Sequence, residues 1–147
     1  MVNFNFRLER VLNYKKTVED YKKSQYGMVQ QRLHNEENKL DEFNQYKNNI
    51  KDEKNVTAVK TKVGNLAMYN NYINDLSKMI RAQEKVVTKT RDDANEAKEE
   101  LIAAAKEKKI FEKLKEHEYE EHLYQLKRDE EKQTDTITSY RSSTQQQ

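Results

Sequence analysis

Apolar residues recur along this chain at alternating spacings of three and four, from Leu8 to beyond Leu101. That is the period of a helix that buries one narrow stripe against another helix. With Leu33 at an a position, the a row reads Leu12, Tyr26, Leu33, Leu40 and Lys47, and the d row Leu8, Lys15, Lys22, Val29, Glu36, Phe43 and Ile50. Lys15, Glu19 and Lys22 thin the seam, while Val11, Val18 and Gln25 form a neighbouring row, so looser pairing is expected there. The pattern predicts a first helix over about residues 4–54.

The period breaks between Lys54 and Asn65, where Asn55, several β-branched residues and Gly64 stand in poor helical context. A turn is predicted over about 55–64, with Thr57 or Thr61 available to cap the next helix. A second helix follows over about 65–140, its seam reading Leu66, Tyr69, Ile73, Leu76, Ile80, Gln83, Val87, Thr90, Ala94, Ala97, Leu101, Ala104 and Phe111. Between Ile110 and Tyr119 the apolar phase shifts, which reads as a stutter. The Ser/Thr/Gln-rich residues 142–147 read as a frayed tail.

At about 1.5 Å per residue the first helix is roughly 75 Å long and the second roughly 110 Å. A turn near residue 59 makes them antiparallel, with position i facing about 118 − i, so that Leu8 faces Ile110. The expectation is an all-α fold: one domain over residues 1–147, a long two-stranded antiparallel coiled-coil hairpin with an overhanging C-terminal helical arm from about Lys115 to Arg141. The phase shift falls close to where the first helix would run out.

Composition agrees. Among 147 residues there is no Pro and no Cys, and Gly27 and Gly64 are the two glycines. A hydrophobic fraction of 34% against 37% charged is too low for a multilayer core, but enough for a two-helix seam. Nine Tyr, four Phe and a net charge of +2 argue against disorder. Residues 1–62 carry about +4 and the remainder about −2, with only short basic clusters, so nucleic acid is not an expected partner. No run approaches the ~18 apolar residues of a membrane span, and the opening residues lack a secretion signal. A cytoplasmic chain is expected.

The candidate chemistry is that of surfaces rather than of catalysis. His117 and His122 are five apart, off the i, i+4 spacing that chelates zinc, and the isolated glycines form no phosphate-cradling loop. No catalytic, cofactor or metal site is expected. Phe4 and Phe6 read first as a hydrophobic plug reaching Phe111 and Leu114. Phe43, Tyr46, Tyr69 and Tyr72, with Met68 and Met79, form an aromatic–Met cluster near the turn, read either as a partner patch or as extra interhelix packing. The arm carries Tyr119, Leu123, Leu126 and Ile137 with no internal partner, which suits a groove of another protein or a frayed helix. Ala94, Ala97 and Ala103–Ala105 read as helix propensity.

The opening Phe4-Asn5-Phe6-Arg7-Leu8-Glu9-Arg10-Val11-Leu12, the run from Leu66 to Leu76 with Tyr69, Tyr72 and Ile73, and Phe111-Glu112-Lys113-Leu114-Lys115-Glu116-His117-Glu118-Tyr119 followed by Asp135-Thr136-Ile137 resemble, in order, the motifs of the FliJ family of flagellar export proteins. Each motif is weak alone, and the ordered set is stronger. The resemblance implies a non-catalytic antiparallel coiled coil, similar to the γ stalk of rotary ATPases, in the flagellar type III export apparatus. It implies three partners: the hexameric export ATPase FliI, the export gate protein FlhA and export chaperones. By motif, ring contact falls on Phe4, Phe6, Tyr119, Leu123, Leu126 and Ile137, and a gate patch on Phe43, Tyr46, Tyr72, Leu76 and Met79. The protein would be cytoplasmic, held at the inner membrane only through partners, and monomeric when free. Thr136 replaces the Glu usual in the family's ending. The alternatives are the equivalent stalk of a virulence-type secretion system, a rotary-ATPase stalk, or a self-associating structural coiled coil.

Overall fold

A computed structural model describes residues 3–57 and 63–145. Two helices account for nearly all of them: α1 over Glu9–Thr57 and α2 over Val63–Gln145. The fold is all-α, and no strand occurs among the described residues. The chain divides into two compact units, one of residues 3–19 with 103–145 and the other of 20–102. Within each unit a stretch of α1 runs antiparallel to a stretch of α2, so the hairpin expected from the heptads is the observed fold.

The first helix begins later than its apolar period suggests. Residues 3–6 are non-helical and a turn at Arg7 and Leu8 leads into α1, with Glu9 N–H donating to Phe6 C=O at 3.2 Å. Phe4 and Phe6 are two apart, so an extended backbone sets both on one side, whereas a helix would set them on different faces. The chain takes the extended solution, and Phe6 is 5% exposed. At the far end α1 runs through Asn55 and Val56 to Thr57. Glu9 in its first turn and Lys54 in its last oppose the helix dipole. The remaining candidate turn residues, 58–62, lie outside the described residues. The second helix extends over Ser142, Ser143 and Thr144, so the frayed tail expected at 142 is helical at least to Gln145.

The seam is thin. Leu12, at 1% exposure, is the most deeply buried side chain, joined in the core by Phe6, Leu76, Ile80, Val87, Ala94 and Ala104. Thr90 is also buried and bonds its hydroxyl to Val86 C=O at 2.8 Å. The polar seam positions hold because their side chains find partners on the other helix. In the unit of residues 20–102, Lys22 Nζ reaches Glu100 Oε2 at 3.0 Å, and Gln83 donates to Glu36 C=O at 3.0 Å and to the Glu36 carboxylate. Arg91 there meets Glu37 at 3.2 Å. In the other unit Lys15 meets Glu107 at 2.8 Å. The ammonium groups of Lys108 and Lys115 each sit across both carboxylate oxygens of Glu19 and Glu9, at 2.9 and 3.1 Å in each case. The stems of these lysines cover the seam while their heads reach a counter-charge at its edge.

Two expectations are corrected here. Ile110 does not face Leu8: it is 64% exposed, and half-buried Phe111 holds the seam position beside it. Nor is there a stutter after Ile110. The sheltered positions of α2 continue as Ala104, Lys108, Phe111, Lys115, Glu118 and His122, still three and four apart. The apparent shift arose because polar residues occupy the seam there, while Tyr119 and Leu123 lie one position off it.

Three stability measurements follow. Gly27 sits in the interior of α1 with nothing within 4 Å of where a Cβ would stand and no positive φ. Gly27→Ala is expected to stabilise the fold by about 0.5–1 kcal/mol, read as a rise in Tm. Lys15→Leu removes a pair whose glutamate is well exposed and adds apolar seam, so a gain of about 1 kcal/mol is expected. Lys108→Leu strands the Glu19 carboxylate at 12% side-chain exposure and is expected to cost about 1–3 kcal/mol in denaturant unfolding.

Candidate functional site

Two aromatic surfaces stand out, one in each unit. In the unit of residues 20–102, Phe43 and Tyr46 on α1 and Tyr72, Leu76 and Met79 on α2 line a single open groove of about 380 Å³, together with Glu42 and Asp75. All five residues placed by motif in a gate patch are therefore neighbours. Heptad geometry explains the arrangement: Phe43 and Leu76 occupy seam positions and make the floor, whereas Tyr46, Tyr72 and Met79 flank the seam and form an exposed rim.

Tyr46 and Tyr72 meet across the helix pair. Their hydroxyls lie 2.8 Å apart and their rings stand edge to face, centroids 6.0 Å apart and planes at 73°. A second open groove, of about 480 Å³, lies beyond this tyrosine bridge, lined by the same two rings with Ile50, Thr57, Asn65, Met68 and Tyr69. The bridge therefore separates two apolar hollows, the second of which holds exposed Met68. Sequence reasoning noted Met68 and Tyr69 but missed the hollow, because Ile50 and Asn65 are far apart along the chain.

The hydrogen bond from Tyr46 is the main reason the Tyr72 phenol is held above its ordinary value; desolvation and the Tyr46 charge act in the same direction. The folded chain thus holds this proton more tightly than the unfolded chain. Its stabilising contribution is full below the ordinary phenol value of about 10 and is lost as pH rises through and beyond it. Tyr46→Phe removes the partner hydroxyl, and absorbance titration should then show the late-ionising phenol return towards the ordinary range.

In the other unit Phe4 docks on α2, its ring 5.2 Å from Tyr119 in an edge contact at 67° and 5.5 Å from His122. For Phe4 this corrects the expected approach to Phe111 and Leu114: its ring lies about two turns further along α2. An open groove of about 750 Å³ runs beside the contact, between Asn3, Phe4 and Asn5 on one side and Glu118, Glu121, His122, Tyr124 and Gln125 on the other. Phe6 is buried and presents no surface.

The arm also starts later than Lys115. That residue pairs with Glu9, and Tyr119 and His122 carry Phe4. From Lys127 to Gln145 every residue is exposed, including Ile137 and Tyr140, while Leu126 is half-buried and Leu123 exposed. Lys108, Lys115 and His122 were missed as seam residues, although extending the heptad past Ala104 without regard to polarity would have found them.

Paired antiparallel helices, a seam held by ion pairs and open aromatic grooves define a coiled-coil hairpin. Its family is given by comparison with known ones: the model of the Flagellar FliJ protein family matches residues 4–147, and the chain belongs to that family. Comparison with curated proteins and with solved structures gives no match. The family is a non-catalytic component of flagellar export, which places the role of this chain there. Among the described residues no helix is long and apolar enough to cross a membrane.

Proposed function

We propose that this chain is a stalk and adapter of the flagellar type III export apparatus, linking the hexameric export ATPase FliI to the export gate protein FlhA and to export chaperones. The observation that carries the reading is the family match over residues 4–147. In this reading the ring is met by Phe4, Tyr119, Leu123, Leu126 and Ile137, and the gate by the groove of Phe43, Tyr46, Tyr72, Leu76 and Met79. The exposed α2 stretch after Leu126 and the open Tyr46/Tyr72 groove support that division. The chain would work in the cytoplasm, at the membrane only through its partners, and the stalk would bias the ATPase by meeting its nucleotide states unequally.

The test separates the two surfaces. Deleting residues 127–147 keeps the Lys115–Glu9 and Phe4–Tyr119 contacts, so circular dichroism should lose only the deleted turns. Affinity for the ATPase hexamer should fall at least about ten-fold, with gate binding unchanged. Replacing Tyr46 and Tyr72 by Ala should do the reverse. A truncated chain that binds the ring as tightly as the intact one would sink the assignment of Ile137 and the rest of the arm beyond Leu126.

A further inference from the structure

The exposed part of α2 carries a second heptad, of which the hairpin engages only Tyr119, against Phe4, with Leu126 half-buried. Tyr119, Leu123, Leu126, Glu130, Gln133, Ile137, Tyr140 and Thr144 are alternately four and three apart, one position off the internal seam that ends at His122. The stripe spans between three and four heptads, the length at which such a pattern argues for a coiled coil. Its helix also lacks support of its own. Thr134, Thr136, Thr138 and Thr144 return their hydroxyls to backbone carbonyls at 2.8–3.0 Å, and Ser139, Ser142 and Ser143 stand among them. Residues of this kind have low helix propensity and compete for backbone bonds, so helix here calls for a partner on the stripe.

The stripe is complementary to itself when reversed. Laid antiparallel on a second copy, with the two-fold axis between Glu130 and Gln133, it pairs Leu126 with Ile137, Leu123 with Tyr140 and Tyr119 with Thr144. Glu130 then meets Gln133, whose amide donates to the carboxylate, in two equivalent layers at the centre. Every layer sets an a position against a d position. At the flanks Glu120 falls opposite Arg141, and no like-charged pair arises. A two-fold interface requires this: where residue i meets j, j must also meet i. Parallel pairing would instead stack Glu130 on Glu130, a like-charge clash in the seam.

We infer that residues 119–144 of two copies of this chain pair antiparallel through this stripe, so that the free protein covers it with itself. This departs from the monomer expected from the internal seam, because the stripe from Lys127 onward lies beyond what that seam shelters. It touches the proposed function at one point only: the same residues would meet the ATPase ring, so self-pairing and ring binding would exclude each other.

The chain has no cysteine, so single-cysteine variants report cleanly. Under oxidising conditions a mixture of the full-length Leu126→Cys and Ile137→Cys chains should cross-link to a dimer. Either variant alone should not, since like positions lie about 16 Å apart in the antiparallel pair. Sedimentation equilibrium of the unmodified chain should show monomer–dimer exchange within about 1 µM to 1 mM, abolished by Ile137→Lys with the helix content unchanged. Cross-linking of either variant with itself, or a monomer across that range whose stripe is protected only when the ATPase is added, would overturn the proposal. Failure of the ring assignment reads differently: the cross-linked dimer would then bind the ATPase hexamer as well as the free chain does.

Discussion

Two helices in contact shelter only about two positions in seven. A charged residue on that strip must therefore reach either water or an opposite charge. Four seam lysines in this chain, Lys15, Lys22, Lys108 and Lys115, solve the problem in one way: each ends beside a glutamate on the other helix. Single exposed pairs contribute little to stability. Their larger effect is on register. Small alanines and short apolar stretches would tolerate a slide of seven residues, but such a slide leaves Lys108 against Leu12 or Tyr26 instead of Glu19. The position of every other side chain follows from that register.

The same narrowness brings large apolar side chains to the surface. A thin seam leaves many large apolar side chains half-covered or bare, among them Tyr46, Tyr72, Met68, Met79, Leu123 and Ile137. Singly exposed apolar residues are ordinary, whereas gathered ones mark interaction sites. Across α1 and α2 the register gathers four of them, Phe43, Tyr46, Tyr72 and Met79, around the Tyr46–Tyr72 bridge. Along α2 the heptad gathers another set after Tyr119. A member of the FliJ family thus presents two separate apolar surfaces, one built by two helices and one by a single helix.

Some of this was legible in the residues and some was not. The hairpin, the antiparallel order and the neighbourhood of Phe43 and Tyr72 follow from three–four spacing and one break, because those depend on local period alone. The start of α1 was misjudged because Phe4 and Phe6 carry an extended pattern that a helical reading absorbs. The stutter was misjudged for a related reason. Tyr119 and Leu123 suggest a new phase because they are apolar, while the sheltered positions beside them are Lys115, Glu118 and His122.

Sequence alone determined that the chain forms two long helices that must share one stripe, since without Pro and with two Gly nothing else interrupts the period. Tertiary structure decided which residues occupy the stripe wherever polar and apolar side chains compete for it. Hydropathy cannot rank a lysine above a tyrosine for a sheltered position. The presence of Glu9 or Glu19 across the interface can, because burial of an ammonium is set by the charge it meets. The docking of Phe4 on Tyr119 and His122 was decided in the same way, by which part of α2 lay within reach of an extended chain.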